Sequence, residues 1–335
     1  MHWLRILPGL QLLPVALLTL SFQPIVGWSQ DAAAIQEKKP ADVKSADAQA
    51  TAKAEKPSAN SEKAAEKGDT KKFKKEKLKF VRVAKDEDKK PLALQTAVVT
   101  YKSDSKESEG VEVTLIGAVH IAEKSYYKDL NEQFKKYDAL LYEMVMDPSH
   151  GVPEANERGS SPVSSVQVGM KDMLELSFQL DEVDYKAKNF VHADMTPEEM
   201  FESMNKRKES VFKMLLRSIG SGLAMQGAGK SNDLDVISAI LSDDRARGMK
   251  RAMADQFEMM DGQMAALQGD DGRSTLITER NAKAFEVLGE QMKSGKKKIG
   301  IFYGAGHFDD MHQRLIDDYR MQPVETKWMD AWDLK

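Results

Sequence analysis

The stretch VEVTLIGAVHIAEKSYYKDLNEQFKKYDALLYEMV, residues 111–145, decides the fold class. VEVTLIGAVH is an apolar, β-branched run and reads as a strand. In the next segment Tyr127, Leu130, Phe134 and Tyr137 recur at helical spacing and make one apolar face. ALLYEMV, residues 139–145, is a short apolar run that reads as a buried strand. Strand, helix, strand at this spacing is a βαβ unit, usually parallel. The chain is expected to be α/β, with a mixed central sheet and flanking helices.

Working outward, PLALQTAVVTYKS, residues 91–103, reads as a strand joined to the first by the polar loop DSKESEG. Residues 147–165 are rich in Pro, Gly and Ser and form a loop that carries His150 at the surface. VGMKDMLELSFQLDEVDY, residues 168–185, is expected to be a helix, and NFVHADM, residues 189–195, a short strand. TPEEMFESM then opens a helix, with Thr196 as cap, Pro197 at its first position and Glu199 three beyond the cap. Residues 196–270 read as a charged helical insertion rich in methionine: Met200, Met204, Met214, Met225, Met249, Met253, Met259, Met260 and Met264 all fall here. Methionine is an adaptable filler between packed helices; it also suits a cap that accepts varied apolar ligands. STLITERNAKAFEVLGEQM, residues 274–292, is an amphipathic helix, KKKIGIFYGAGH, residues 296–307, a strand, and FDDMHQRLIDDY, residues 308–319, a helix burying Phe308, Met311 and Leu315. PVETKWMDAW, residues 323–332, alternates like an edge strand. The end of the chain thus repeats the strand–His–helix grammar of its start, the pattern an internal duplication would leave.

The 335 residues suffice for one large domain or two small ones, and the net charge of −4 argues neither for nor against a charged partner. A nucleic-acid partner is not expected, and the basic run at residues 71–77 reads as solvated. The chain has no cysteine, which excludes disulfides, zinc–thiolate sites and a cysteine nucleophile. Any metal must sit on His, Asp or Glu, and there are only six histidines. Residues 1–30 combine Arg5, an apolar run and a small, polar end, the pattern of a secretory signal peptide. Cleavage there would leave the protein exported, periplasmic or extracellular. An uncleaved segment would instead anchor it at the membrane, although Pro8, Pro14 and Pro24 interrupt the run. Residues 31–77, dominated by Ala, Lys, Glu, Asp and Ser, read as a disordered linker, and 78–335 as the folded domain.

Two strands end in Gly-x-x-His. TLIGAVHIAE carries Gly117 and His120; IFYGAGHFDD carries Gly304 and His307. Glycine permits a sharp turn with unusual backbone angles there, and leaves room for a ligand. Both histidines fall just beyond the carboxyl ends of their strands, where α/β sheets bind ligands, and Glu143 ends the strand ALLYE. Imidazole with carboxylate suits divalent metals, and a bound metal acidifies water while a carboxylate relays its proton. A single Gly-x-x-His carries little weight, because many such histidines only satisfy a core polar group. Two copies with a strand-end glutamate carry more. His192 and Asp194 follow a short strand and are candidates for the same pocket. His312 lies five residues beyond His307, about 500° round a helix, and points elsewhere. GAGKS, residues 227–231, lacks the phosphate-loop glycine, since Ala224 stands in its place.

These motifs resemble the TraB/GumN (Tiki-like) family. The likeness lies between about residues 111 and 315, in VTLIGAVHIAEKSYYKDLNEQFKKYDALLYE, ITERNAKAF and IGIFYGAGHFDDM, and does not cover the middle helical region. The family pattern of two GxxH motifs, a strand-end Glu and an Arg on a late helix falls on His120, His307, Glu143 and Arg280. Where many relatives carry Glu-Leu-Asp and then a basic residue, this chain has YEMVMD. The resemblance implies a fold akin to erythromycin esterase and the haem-binding ChaN proteins. It further implies a metallopeptidase or other metallohydrolase outside the membrane, acting on a peptide or protein with manganese or cobalt rather than zinc. On that reading His120, Glu143 and His307 hold the metal, Glu143 and Arg280 are catalytic, and Arg280, with His192, meets substrate. A carrier of haem, metal or peptide on the same fold is the alternative.

Overall fold

The computed structural model describes residues 78–103, 110–152, 173–209, 244–258 and 272–335. The segments read as signal peptide and linker, the loop at 104–109, GAGKS and most of the methionine-rich stretch lie outside these residues.

The chain folds as a mixed α/β domain. Its main sheet has seven strands. They are β1 (Val81–Lys85), β2 (Pro91–Ser103), β3 (Glu112–Ala118), β5 (Ala139–Tyr142), β7 (Phe190–His192), β8 (Lys298–Gly304) and β9 (Met321–Asp333). β4 (Ile121–Ala122) and β6 (Ser177–Phe178) pair separately. β1, β3 and β9 run antiparallel to β2, whereas β3, β8, β5 and β7 lie side by side in parallel. Parallel strands covered on both faces need apolar side chains in both directions. Hence ALLY of β5 is buried throughout, and in KIGIFYG of β8 only Lys298 is exposed.

The connection from β3 to β5 runs through α1 (Lys124–Phe134), the βαβ unit of residues 111–145. Helix α1 buries Tyr126, Tyr127, Leu130 and Phe134, and Phe134 packs 4.7 Å from the Phe302 ring of β8. β3 and β5 are not neighbours, because β8 enters between them from the far end of the sequence. Gly300 of β8 makes this insertion close: a Cβ there would lie 2.5 Å from Leu140 Cδ1 and 3.1 Å from the Tyr137 ring. Register then aligns the ends, with Ala118 opposite Gly304 and Tyr142 opposite both Phe302 and His192. All four parallel strands therefore end at one edge.

Two short elements differ from expectation. Residues 168–185 are expected to be helical; in the described part residues 173–174 are helical, and β6 and the single turn α2 (Gln179–Glu182) then interrupt the run. There Ser177 and Phe178 pair with β4, a long-range contact invisible to local periodicity. β1, VRVAK, is short and only partly buried, and it is readable only in the structure. The remaining helices are α3 (Pro197–Lys206), α4 (Arg245–Glu258), α5 (Arg280–Lys293) and α6 (Phe308–Asp317). α3 opens with the capping box of Thr196 and Glu199, and α6 buries Phe308, Met311 and Leu315.

Candidate functional site

His307 closes a 3-10 turn directly after β8 and is 1% exposed. Its Nδ1 lies 2.6 Å from Asn281 Oδ1. The Asn281 amide nitrogen is already donating, to His307 O at 3.0 Å and to Asp310 Oδ2 at 2.8 Å. Asn281 Oδ1 is therefore the acceptor, and His307 Nδ1 carries the hydrogen. In the neutral ring Nε2 keeps its lone pair; that nitrogen is buried and has no hydrogen-bond partner. It stands 3.5 Å from Glu143 Oε1.

Glu143 follows β5 and is buried. Its Oε2 accepts the Gly304 N–H at 2.6 Å, and its Oε1 accepts from Arg280 at 2.7 Å. Burial alone would raise its pKa, but Arg280 and then His307 hold the carboxyl well below the ordinary range. Arg280, 1% exposed, also donates to both oxygens of Asp194, from Nε at 2.9 Å and from Nη2 at 2.5 Å. Burial opposes its charge, yet Asp194 and Glu143 raise its pKa above the ordinary arginine value. The guanidinium is thus enclosed between two carboxylates. A substrate carboxylate, the partner suggested by the resemblance, would compete with both for this cation.

His120 lies past β3, and its carbonyl accepts from the Gln179 backbone N–H at 2.9 Å. Burial lowers its pKa, while Glu143 opposes the shift. Its Nε2 is buried without a partner, as is Gln179 Oε1. Gln179 Nε2 donates to Tyr185 Oη at 2.7 Å, and its side chain is near enough to favour a charged His120. His192 is half-buried, and its Nε2 lies 2.6 Å from the Met144 carbonyl, to which it donates. It braces the loop after β5 and has no hydrogen bond to the other site histidines. His312 bonds Tyr101 Oη through Nδ1 at 2.8 Å, and His150 is exposed on its loop.

The glycines act differently from their sequence reading. Neither takes a positive φ: Gly304 has φ −51°, and Gly117 lies within β3. A Cβ on Gly117 would sit 3.1 Å from Ala97 O, so a side chain there would need β2 to give by a few tenths of an ångström. Gly304 contributes its N–H to Glu143.

Asp194, Asn281 and Gln179 complete the constellation. Asp194 carried a weak signal as a polar residue after a short strand. Asn281 sits beside Arg280 at the start of α5, where both are buried directly after a π-type turn, Thr275–Glu279. Gln179 carried no signal, since its element was read as a longer helix.

Two carboxylates and one guanidinium leave this group of side chains a net negative charge beside two imidazoles. Imidazole and carboxylate are donor types that suit a divalent cation, and His120 Nε2, His307 Nε2 and Glu143 are the groups that would hold one. Among the described residues no group of three or more such side chains is arranged to hold a metal ion, and Arg280 and the Gly304 N–H already occupy the Glu143 oxygens. Compared with known proteins, the chain matches no family model, no curated protein and no solved structure.

Proposed function

We propose that this protein is an exported hydrolase of the ChaN/erythromycin-esterase-like fold, acting on peptide bonds with a divalent metal, manganese or cobalt before zinc. The observation that carries the reading is His307 Nε2: buried, without a hydrogen bond, 3.5 Å from an ionised glutamate, its tautomer set by Asn281. A lone pair so placed serves either to ligate an ion or to take a proton from water. Peptide as the substrate class and residence outside the membrane rest on the TraB/GumN resemblance and the signal-like N-terminus.

A metal held by His120, His307 and Glu143 would supply an acidified water. The residues of the chain do the remainder. Arg280 and the Gly304 N–H fix both oxygens of Glu143. Glu143 keeps its negative charge beside His307 and would add that charge to the face the ion meets. Asp194 holds Arg280 through two bonds, so the guanidinium cannot swing away. Exclusion of bulk water strengthens each of these interactions.

The test is hydrolysis of a peptide library by the metal-loaded chain and by His307→Ala and His120→Ala. Both variants should lose at least about 100-fold in rate, the scale of general base catalysis. Full activity in either, with unchanged folding by circular dichroism, removes the proposal. Saturable haemin binding lost in the same two variants, with no hydrolysis, would favour the haem carrier.

A further inference from the structure

β9 lies at the edge of the sheet, paired only with β2 among the described residues, and residues 322–327 are all exposed. Ala97 donates its N–H to Phe80 on the other side of β2, so Val98 and Thr100 turn their backbone groups toward β9. Their partners there are Lys327 and Glu325. Thr326 and Trp328, between and beside these, therefore turn their N–H and C=O groups to the free edge. Such a row is a template for another strand.

The side chains say which strand fits. Lys327 is the usual guard against edge pairing, but Glu325 stands two residues before it on the same face, 3.0 Å away. An inverted copy centred on Thr326 puts Glu325 opposite Lys327 of the second copy, and Lys327 opposite its Glu325. On the other face Thr326 comes opposite Thr326 of the second copy, beside Trp328, whose ring is already backed by Arg82 at 4.0 Å. Val324, the extra residue of the bulge, lies beyond this paired stretch. Cross-strand pairs of opposite charge and of threonine with threonine are both favourable. The bulge at Thr100/Tyr101 and Pro323 interrupt pairing on one side of this segment, which limits the register available to an incoming strand. We propose that β9 pairs antiparallel with β9 of a second copy about Thr326, forming a two-fold dimer through a continuous sheet. The guard then rejects other strands and admits its own.

The experiment is sedimentation equilibrium of the full chain, with Glu325→Lys, Lys327→Glu and the double exchange beside it. Each single exchange places like charges opposite one another twice, and should raise the dissociation constant about tenfold or more. The double exchange restores opposite charges and should recover the dimer. A parent that stays monomeric, or one whose association ignores all three variants, overturns the proposal. Association through the apolar N-terminus would give that second result. None of these residues touches the candidate site, so the outcome is independent of the hydrolase reading.

Discussion

At the scale of single residues the account turns on how two imidazoles are held. Asn281 fixes the His307 tautomer through one short bond and is itself fixed by Asp310, which Arg314 holds at 2.6 Å. Removing such a support costs about 10–100-fold in metal affinity or activity. Asn281→Ala should show that loss, and nitrogen chemical shifts of the imidazole should show mixed tautomers at His307. A single unchanged tautomer would contradict the role. Arg280→Met should destabilise the domain by about 3–5 kcal/mol in urea unfolding, because it strands two buried carboxylates. Arg280→Lys should recover little, lacking the two-pronged contact with Asp194. A Met variant as stable as the parent would show that these carboxylates are not held by Arg280.

His120 gives a pH signature. Its folded pKa lies below the ordinary 6.5, chiefly through burial. The unfolded chain therefore binds the proton more readily than the folded one. The stability from this group is complete above 6.5 and is lost as pH falls below that value toward the folded pKa. In the presence of a chelator, His120→Gln should flatten the decline of unfolding free energy below pH 6.5. An unchanged slope would place the decline elsewhere.

At the scale of elements, β8 is the tightest fit. Gly300→Ala pushes a methyl into Leu140 and Tyr137, and overpacking of this kind costs about 1–3 kcal/mol. A Tm equal to that of the parent would mean that the Leu140 and Tyr137 side chains move aside without cost. Elements with strong local signals were legible from sequence alone. PLALQTAVVTYKS is β2 from end to end, and Thr196, Pro197 and Glu199 announced their capping box before any coordinate. The strand-end histidines and Glu143 were legible because apolar runs marked where the strands stop. Partners brought in by pairing were not: β6 holds Gln179 beside His120 only through its contact with β4. Arg280 and Asn281 are both buried just after a π-type turn, which a regular 3.6-residue periodicity does not foresee.

For the whole molecule the decisive fact is the path of the chain. The first βαβ unit leaves a gap between β3 and β5, and the strand that fills it comes from residues 298–304. That insertion carries the second Gly-x-x-His to the first and sets Glu143 between Arg280 and His307. A site assembled from segments so distant exists only when the sheet is complete, so folding and function stand or fall together. The direct test is a cobalt titration of the full chain, followed by visible absorbance, with His120→Ala and His307→Ala run alongside. The account predicts one tightly held ion, lost in both variants while the far-ultraviolet circular dichroism is unchanged. Binding that persists in either variant would contradict a shared centre, and no binding at all would contradict the metal.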